Sequence, residues 1–572
     1  MTRIDMFAAG ALALVAVPLA AQAPAQTTAA FDPARLSRHI QTLGSDAYEG
    51  RGPATRAETK TVAYLIREFR AAGLSPGGEV VNGKRQWTQA VPLLKSDIAG
   101  TPQLQLKLGD TTDNLVQGEQ IAVRSPLTGV TAVNIQNAPL LFVGYGVTAP
   151  ERGWDDFKTA DVRGKILVVL INDPDFEGGE GSFGGKAMTY YGRWTYKYEE
   201  AARRGAAGVM VVHETAPASY GWATVKNSNT NTMFDIVRAN PTADHTPFES
   251  WIQRDLAVRL FKASGLDFDA ARAAARRKDF QPVPLKASLT ANLNARTETI
   301  NSDNVVGLLR GKRYPDETVI YSAHWDHLGI GKPDANGDSI YNGAVDNGTG
   351  IAQLIEQGRA FAREPRTDRS IVFLAVTVEE KGLLGSEYYA LHPLYPLGKT
   401  VAVINTDSLG VWGPARNYSI RGTARLGLLD ALIEEGNKQG RVFTPDPHPE
   451  TGGFYRSDHF SFAKAGVPAF SYGSGNDLVN GGMARGEALS SDYTTKRYHQ
   501  PDDEYSPSWD LTGLAQDAAL LHALGRRLAS SREWPTWSDD SEFRAIRDQS
   551  EIERTGAPPP PLPLPPRKGE RG

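Results

Sequence analysis

Val319-Ile320-Tyr321-Ser322-Ala323-His324-Trp325-Asp326-His327 begins as an apolar run and ends in histidines and an aspartate. Such a run reads as a buried strand whose carboxyl end delivers polar side chains. The pattern recurs downstream. Ile371 to Val378 runs into Glu379-Glu380, Val401 to Thr406 runs into Asp407-Ser408, and Val467 to Tyr472 is a further apolar segment. Helices are predicted after Asn347, Leu384 and Ala424. Alternation of this kind gives an α/β fold, a mixed, mostly parallel sheet with helices on both faces.

Working outward, Leu36, Ile40 and Leu43, then Val62, Leu65, Ile66 and Phe69, repeat at helical spacing on either side of the turn-rich loop Tyr48-Glu49-Gly50-Arg51-Gly52-Pro53. Short alternating strands are expected from Trp87 to Ile135. Residues 136–285 have a different texture: Leu140 to Val147 and Lys165 to Ile171 read as strands, Tyr196 to Arg204 as a helix, and Gly208 to Val212 as another strand. This smaller α/β unit resembles the protease-associated domain, a module inserted in peptidases. The expected organisation is a signal peptide at 1–23, an N-terminal part of the peptidase domain at 31–135, the insertion at 136–285, a catalytic domain at 290–530 and a disordered Pro-rich tail at 555–572.

The leader follows from Arg3, the apolar stretch Phe7 to Leu19 and the small residues around Gln22, a combination that directs secretion and falls short of a spanning helix. A periplasmic or secreted protein is therefore expected, off the membrane once the leader is cleaved. Basic and acidic residues nearly balance, 62 against 66, which gives no reason to expect a nucleic-acid partner. The oligomeric state is not legible. The chain has no cysteine, so disulfides, thiol nucleophiles and thiolate metal ligands are excluded, and any metal must be held by imidazole and carboxylate.

Ligand crevices of open α/β sheets lie at the carboxyl ends of the strands. Polar clusters fall there at His324-Trp325-Asp326, Asp346-Asn347-Gly348-Thr349-Gly350, Glu379-Glu380 and Asp407, with Tyr498-His499 near the end. Imidazoles mixed with carboxylates suit zinc or a similar divalent ion. In order and setting these clusters resemble the dizinc exopeptidase family that includes bacterial leucyl aminopeptidases, glutamate carboxypeptidase and the transferrin receptor ectodomain. The resemblance implies two Zn2+ per chain, with Asp346 bridging, His324 and Asp407 on one ion, and Glu380 and His499 on the other. It further implies Glu379 as general base, Asp326 steering the His324 ring, Tyr498 at the oxyanion and a cis Asp346–Asn347 bond.

The implied reaction is hydrolysis of a terminal peptide bond by a hydroxide generated on the metals, with an aminopeptidase preferred. The alternatives are a carboxypeptidase of the glutamate carboxypeptidase type, for which Arg193 or Arg456 would hold a carboxylate, and a single-zinc acyltransferase like glutaminyl cyclase. His459 is set aside as a ligand in favour of His499, and His327 is expected either behind the ligands or at the rim. Gly179-x-Gly181-x-x-Gly184 matches a dinucleotide fingerprint by letters only and reads as a loop, because no helix opens on it.

Overall fold

A computed structural model describes residues 31–178, 181–424, 426–539 and 541–556. The expected leader lies outside these residues. Of the predicted tail, Thr555 closes the helix Glu551–Thr555 and residues 557–572 lie outside. No helix among the described residues is long and apolar enough to cross a membrane.

At the centre of residues 290–530, the strand Tyr314–His324 pairs in parallel with Arg369–Val376 on one side and Thr400–Thr406 on the other, and Ala469–Ser474 continues the parallel set. Antiparallel neighbours close both sides, Val283–Leu309 on Arg369–Val376 and Asn417–Ile420 on Ala469–Ser474. Every residue of Arg369–Val376 and Thr400–Thr406 is buried, as strands covered on both faces require. Val319, Tyr321 and Ala323 face the helices Pro33–Leu43, Arg56–Ala72, Gly348–Arg363 and Thr512–Ser530. Ile320, between them, points to the opposite layer with Tyr389 and Phe462. The mixed, mostly parallel sheet with helices on both faces is thus realised.

A second parallel set, Ala132–Phe142, Ile166–Leu170, Gly208–His213 and Phe248–Gln253, carries its own cores. Phe142, Val168 and Met210 pack with Leu256 and Leu260 of one helix, while Leu167, Val169 and Val209 pack with Tyr198 and Ala201 of another. The two sets belong to one continuous sheet rather than separate ones. The 27-residue strand Val283–Leu309 pairs with Ala132–Phe142 at its start and with Arg369–Val376 at its end. Its partner Thr88–Leu108 is a single strand of 21 residues where short segments were expected. The two strands pair along nearly their whole length around one irregularity at Asn292–Asn294, and this pairing satisfies the backbone through stretches whose side-chain alternation breaks down.

Candidate metal centre

Register brings the polar strand ends together. His324 lies opposite Val376 and Ser322 opposite Asn405, so His324, the Glu379-Glu380 turn and Asp407 share one rim. Asp346 arrives from the turn before helix Gly348–Arg363. Its successor Asn347 caps that helix by accepting the Gly350 N–H at 2.9 Å and ties it to the rim by donating to the Thr406 carbonyl at 3.0 Å. The Asp346–Asn347 bond is cis. His499 follows helix Gly482–Lys496. Val378, Ser408 and His499, each at or beside a candidate ligand, have φ of 55°, 49° and 58°. Left-handed backbone at non-glycine residues costs about 1–3 kcal/mol apiece and persists where the surroundings impose it, commonly at functional sites.

The donor atoms are spaced as ligands of small cations. His324 Nε2 lies 3.3 Å from Asp346 Oδ1 and 3.3 Å from Asp407 Oδ1. His499 Nε2 lies 3.3 Å from Asp346 Oδ2 and 3.1 Å from Glu380 Oε2. Tetrahedral zinc with bonds of about 2.0–2.1 Å requires ligand-to-ligand edges of roughly 3.3–3.4 Å. The two oxygens of Asp346 therefore face separate donor sets, His324 with Asp407 and His499 with Glu380. The residues fit a pair of zinc-class ions. Glu379 stands further back, its Oε2 4.0 Å from His324 Nε2.

Electrostatics reports the same crowding. Burial, reinforced by Asp407, Asp458 and Glu380, pushes the Glu379 carboxyl well above the usual range despite the opposing His324. Burial disfavours the charged form of Asp346 too, but hydrogen bonds from His324 and His499 outweigh it and hold this carboxyl well below its ordinary value.

Several groups hold the donors in place. His324 Nδ1 meets the Asp326 backbone carbonyl at 3.1 Å, whereas the Asp326 carboxylate is 3.9 Å away. That carboxylate instead accepts the N–H groups of Glu379 and Glu380, at 3.1 and 3.4 Å. Asp326 thus steers the ring through its main chain and fixes the double-glutamate turn through its side chain. Asp503 accepts the N–H groups of Val345 and Asp346, both at 3.0 Å. Of the two positions expected for His327, the structure shows the one behind the donors: it is buried, and its Nδ1 meets Glu380 Oε1 at 2.5 Å.

The residue that sequence reasoning missed is Arg51. Its guanidinium is fully buried and donates to the carbonyls of Trp325, Leu43, Asn342, Gly343 and Asp346 at 2.6–3.2 Å. Glu49, Gly50 and Arg51 all have left-handed φ, and a Cβ at Gly50 would collide with the carbonyl of Gly329, so the loop is built to turn Arg51 inward. An arginine between glycines in a short interhelical loop was the available signal.

His459, set aside as a ligand, is fully buried with its ring edge-on to Phe454 at 4.7 Å, and neither ring nitrogen has a hydrogen-bond partner among the described residues. Tyr498 stacks on His499 at 3.9 Å and faces the cavity. Gly179 lies outside the described residues, while Gly181 and Phe183 donate to Asp175 in a turn with no helix opening on it. At the rim lies a cavity of about 630 Å3, lined by Asp346, Glu379, Glu380, Asp407, Tyr498 and His499 and by side chains from several other segments, among them Arg124, Arg193, Asp235, Glu387, Arg456 and Lys464.

Residues 304–523 match the profile of peptidase family M28. The chain is 29% identical over 204 residues to aminopeptidase NAALADL1 of Rattus norvegicus, covering 31% of this chain and 25% of that protein. It is 26% identical over 200 residues to aminopeptidase YwaD of Bacillus subtilis, covering 34% and 41%. A probable zinc metalloprotease of Pyrenophora tritici-repentis is 34% identical over 112 residues, covering 19% and 25%. The chain thus spans between a quarter and two-fifths of the length of these curated relatives. An aminopeptidase structure from Aneurinibacillus sp. strain AM-1 aligns with a TM-score of 0.49 at 18% identity, over 89% of this chain and 96% of that one. On the profile match, residues 304–523, which carry the strand-end donors, form a peptidase family M28 segment.

Proposed function

We propose that the protein is an exported, dizinc exopeptidase that removes N-terminal residues from peptides. The observation carrying this reading is Asp346, whose two carboxylate oxygens each face an imidazole at 3.3 Å, His324 on one side and His499 on the other. Asp407 completes the first donor set and Glu380 the second. When bound, the ions supply Lewis-acid polarisation of the scissile carbonyl and acidify the attacking water.

The chain's own residues supply the rest. Glu379, set back from the donors at the cavity floor, takes the proton of the attacking water on its free carboxylate oxygen and delivers it to the departing amine. Tyr498 presents its hydroxyl to the carbonyl oxygen as charge builds there. Asp326 keeps Glu379 and Glu380 diverging by holding both their amides. Residues 31–135 and 290–530 form the peptidase body, and residues 136–285, a protease-associated unit, roof the site. The aminopeptidase names of NAALADL1 and YwaD support attack at the amino end. The leader read from residues 1–23 supports export.

The test is digestion of a mixed peptide set by purified protein, with released residues identified by mass spectrometry and metal counted by elemental analysis. Free N-terminal amino acids and two zinc ions per chain are expected. Release from the carboxyl end would overturn the aminopeptidase assignment, and a single zinc would reopen the acyltransferase one.

A further inference from the structure

The charged side chains around the cavity are mostly matched. Arg238 pairs with Asp235 at 2.7 Å and with Glu387 at 3.0 Å, Arg124 with Glu249 at 3.1 Å, and Lys464 with Glu199 at 3.4 Å. Arg193 and Arg456 break this pattern. Both line the cavity, and neither makes an ion pair or side-chain hydrogen bond among the described residues. Arg193 Nε, Arg456 Nε and Arg456 Nη2 are shielded from solvent with no partner. The surroundings are aromatic: Arg456 lies over the Tyr220 ring at 5.5 Å. Burial, then the neighbouring Arg456, lowers the Arg193 pKa to about 10.

Two half-buried guanidiniums with shielded, unbonded nitrogens and no counter-anion among the described residues carry a desolvation cost that the aromatic contact offsets only in part. The guanidinium fork matches a carboxylate bidentately. One of the pair comes from the roof and the other from the catalytic body, so an anion between them bridges the two halves.

We propose that Arg193 and Arg456 form a carboxylate-binding subsite, and that the preferred substrates are short peptides whose free carboxylate docks there while the scissile bond lies over the metal donors. This rests on the peptidase reading above and narrows it. A cavity of about 630 Å3 is in the range that encloses a small ligand, so both ends of a short peptide fit within it. The same chemistry is offered by a terminal carboxylate and by an acidic side chain; the roofed cavity favours the terminal one.

The experiment compares Leu-Gly, Leu-Gly-amide, Leu-Glu-amide and leucyl anilide on the wild-type holoenzyme, then on Arg193→Met, Arg456→Met and the double variant. Losing charge-assisted hydrogen bonds corresponds to roughly ten- to hundredfold. The expected result is a KM for Leu-Gly-amide raised by about that factor over Leu-Gly in the wild type, and a ratio near one in the double variant, with leucyl anilide hydrolysis changed little by the substitutions. Recovery of low KM by Leu-Glu-amide would assign the subsite to acidic side chains and overturn the terminal-carboxylate form. Equal KM for Leu-Gly and its amide in the wild type, a comparison needing no variant, overturns the subsite while leaving the peptidase reading intact. Failure to hydrolyse any of the four overturns both.

Discussion

Arg51 Nη1 donates to the Asn342 carbonyl at 2.6 Å, joining the first interhelical loop to the segment that delivers Asp346 nearly three hundred residues later. With the bonds to Gly343 and Asp346, one guanidinium organises the main chain on which the Asp346 carboxylate is mounted. Arg51→Met should lower stability by about 3 kcal/mol or more, because five buried carbonyls lose a charged donor together. Urea unfolding at constant zinc measures this. A loss under 1 kcal/mol would show that the carbonyls find other donors.

Glu379→Gln should lower kcat by about 10²- to 10⁴-fold while zinc content stays at the wild-type value, since Glu379 lies beyond ligand spacing at 4.0 Å from His324. Elemental analysis beside leucyl anilide turnover separates the two effects. Zinc loss in this variant would make Glu379 a ligand rather than the base.

Asp346→Asn should do the opposite and lose metal first. Its two oxygens face both donor sets, so both ions should weaken together, and chelator titration should inactivate the variant far below the concentration the wild type needs. For the wild type, chelation should abolish activity and zinc restore it. Loss of one ion only would show that Asp346 serves a single position.

Asp326→Asn should weaken zinc affinity by about ten- to a hundredfold, the range seen when groups behind the ligands are changed. The route is the Glu379-Glu380 turn, whose amides it holds at 3.1 and 3.4 Å. Competition against a zinc-binding dye gives the constant, and an unchanged value would make the turn self-supporting.

At the cavity wall, His245 sits between Asp235 at 3.1 Å and Glu249 at 2.9 Å, which also face Arg238 and Arg124. Burial alone would lower its pKa, but Glu249 and Asp235 outweigh it and raise it from 6.5 to about 10. A folded pKa above the unfolded one means stability fully present below about pH 6.5 and lost as pH rises towards 10. His245→Gln should therefore flatten the decline in unfolding midpoint across that window. An identical decline in both proteins would place its origin elsewhere.

The sequence by itself determined the chemistry and the layers. Apolar runs ending in His324, Glu379-Glu380 and Asp407 specify parallel strands because a strand buried on both faces must be continuously apolar, and its polar residues can emerge only at its end. Without cysteine, the donors had to be imidazole and carboxylate. What tertiary structure alone decided is every relation that pairs distant segments. The joining of Thr88–Leu108 to Val283–Leu309 depends on register, which local alternation does not encode. Arg51 reads as a loop residue until its five carbonyl partners converge, and the Asp326 side chain reads as a partner of His324 until the Glu379 turn folds over it. Arg193 and Arg456 line one cavity with unbonded nitrogens only in the folded chain, because charge left unmatched is a property of three-dimensional surroundings.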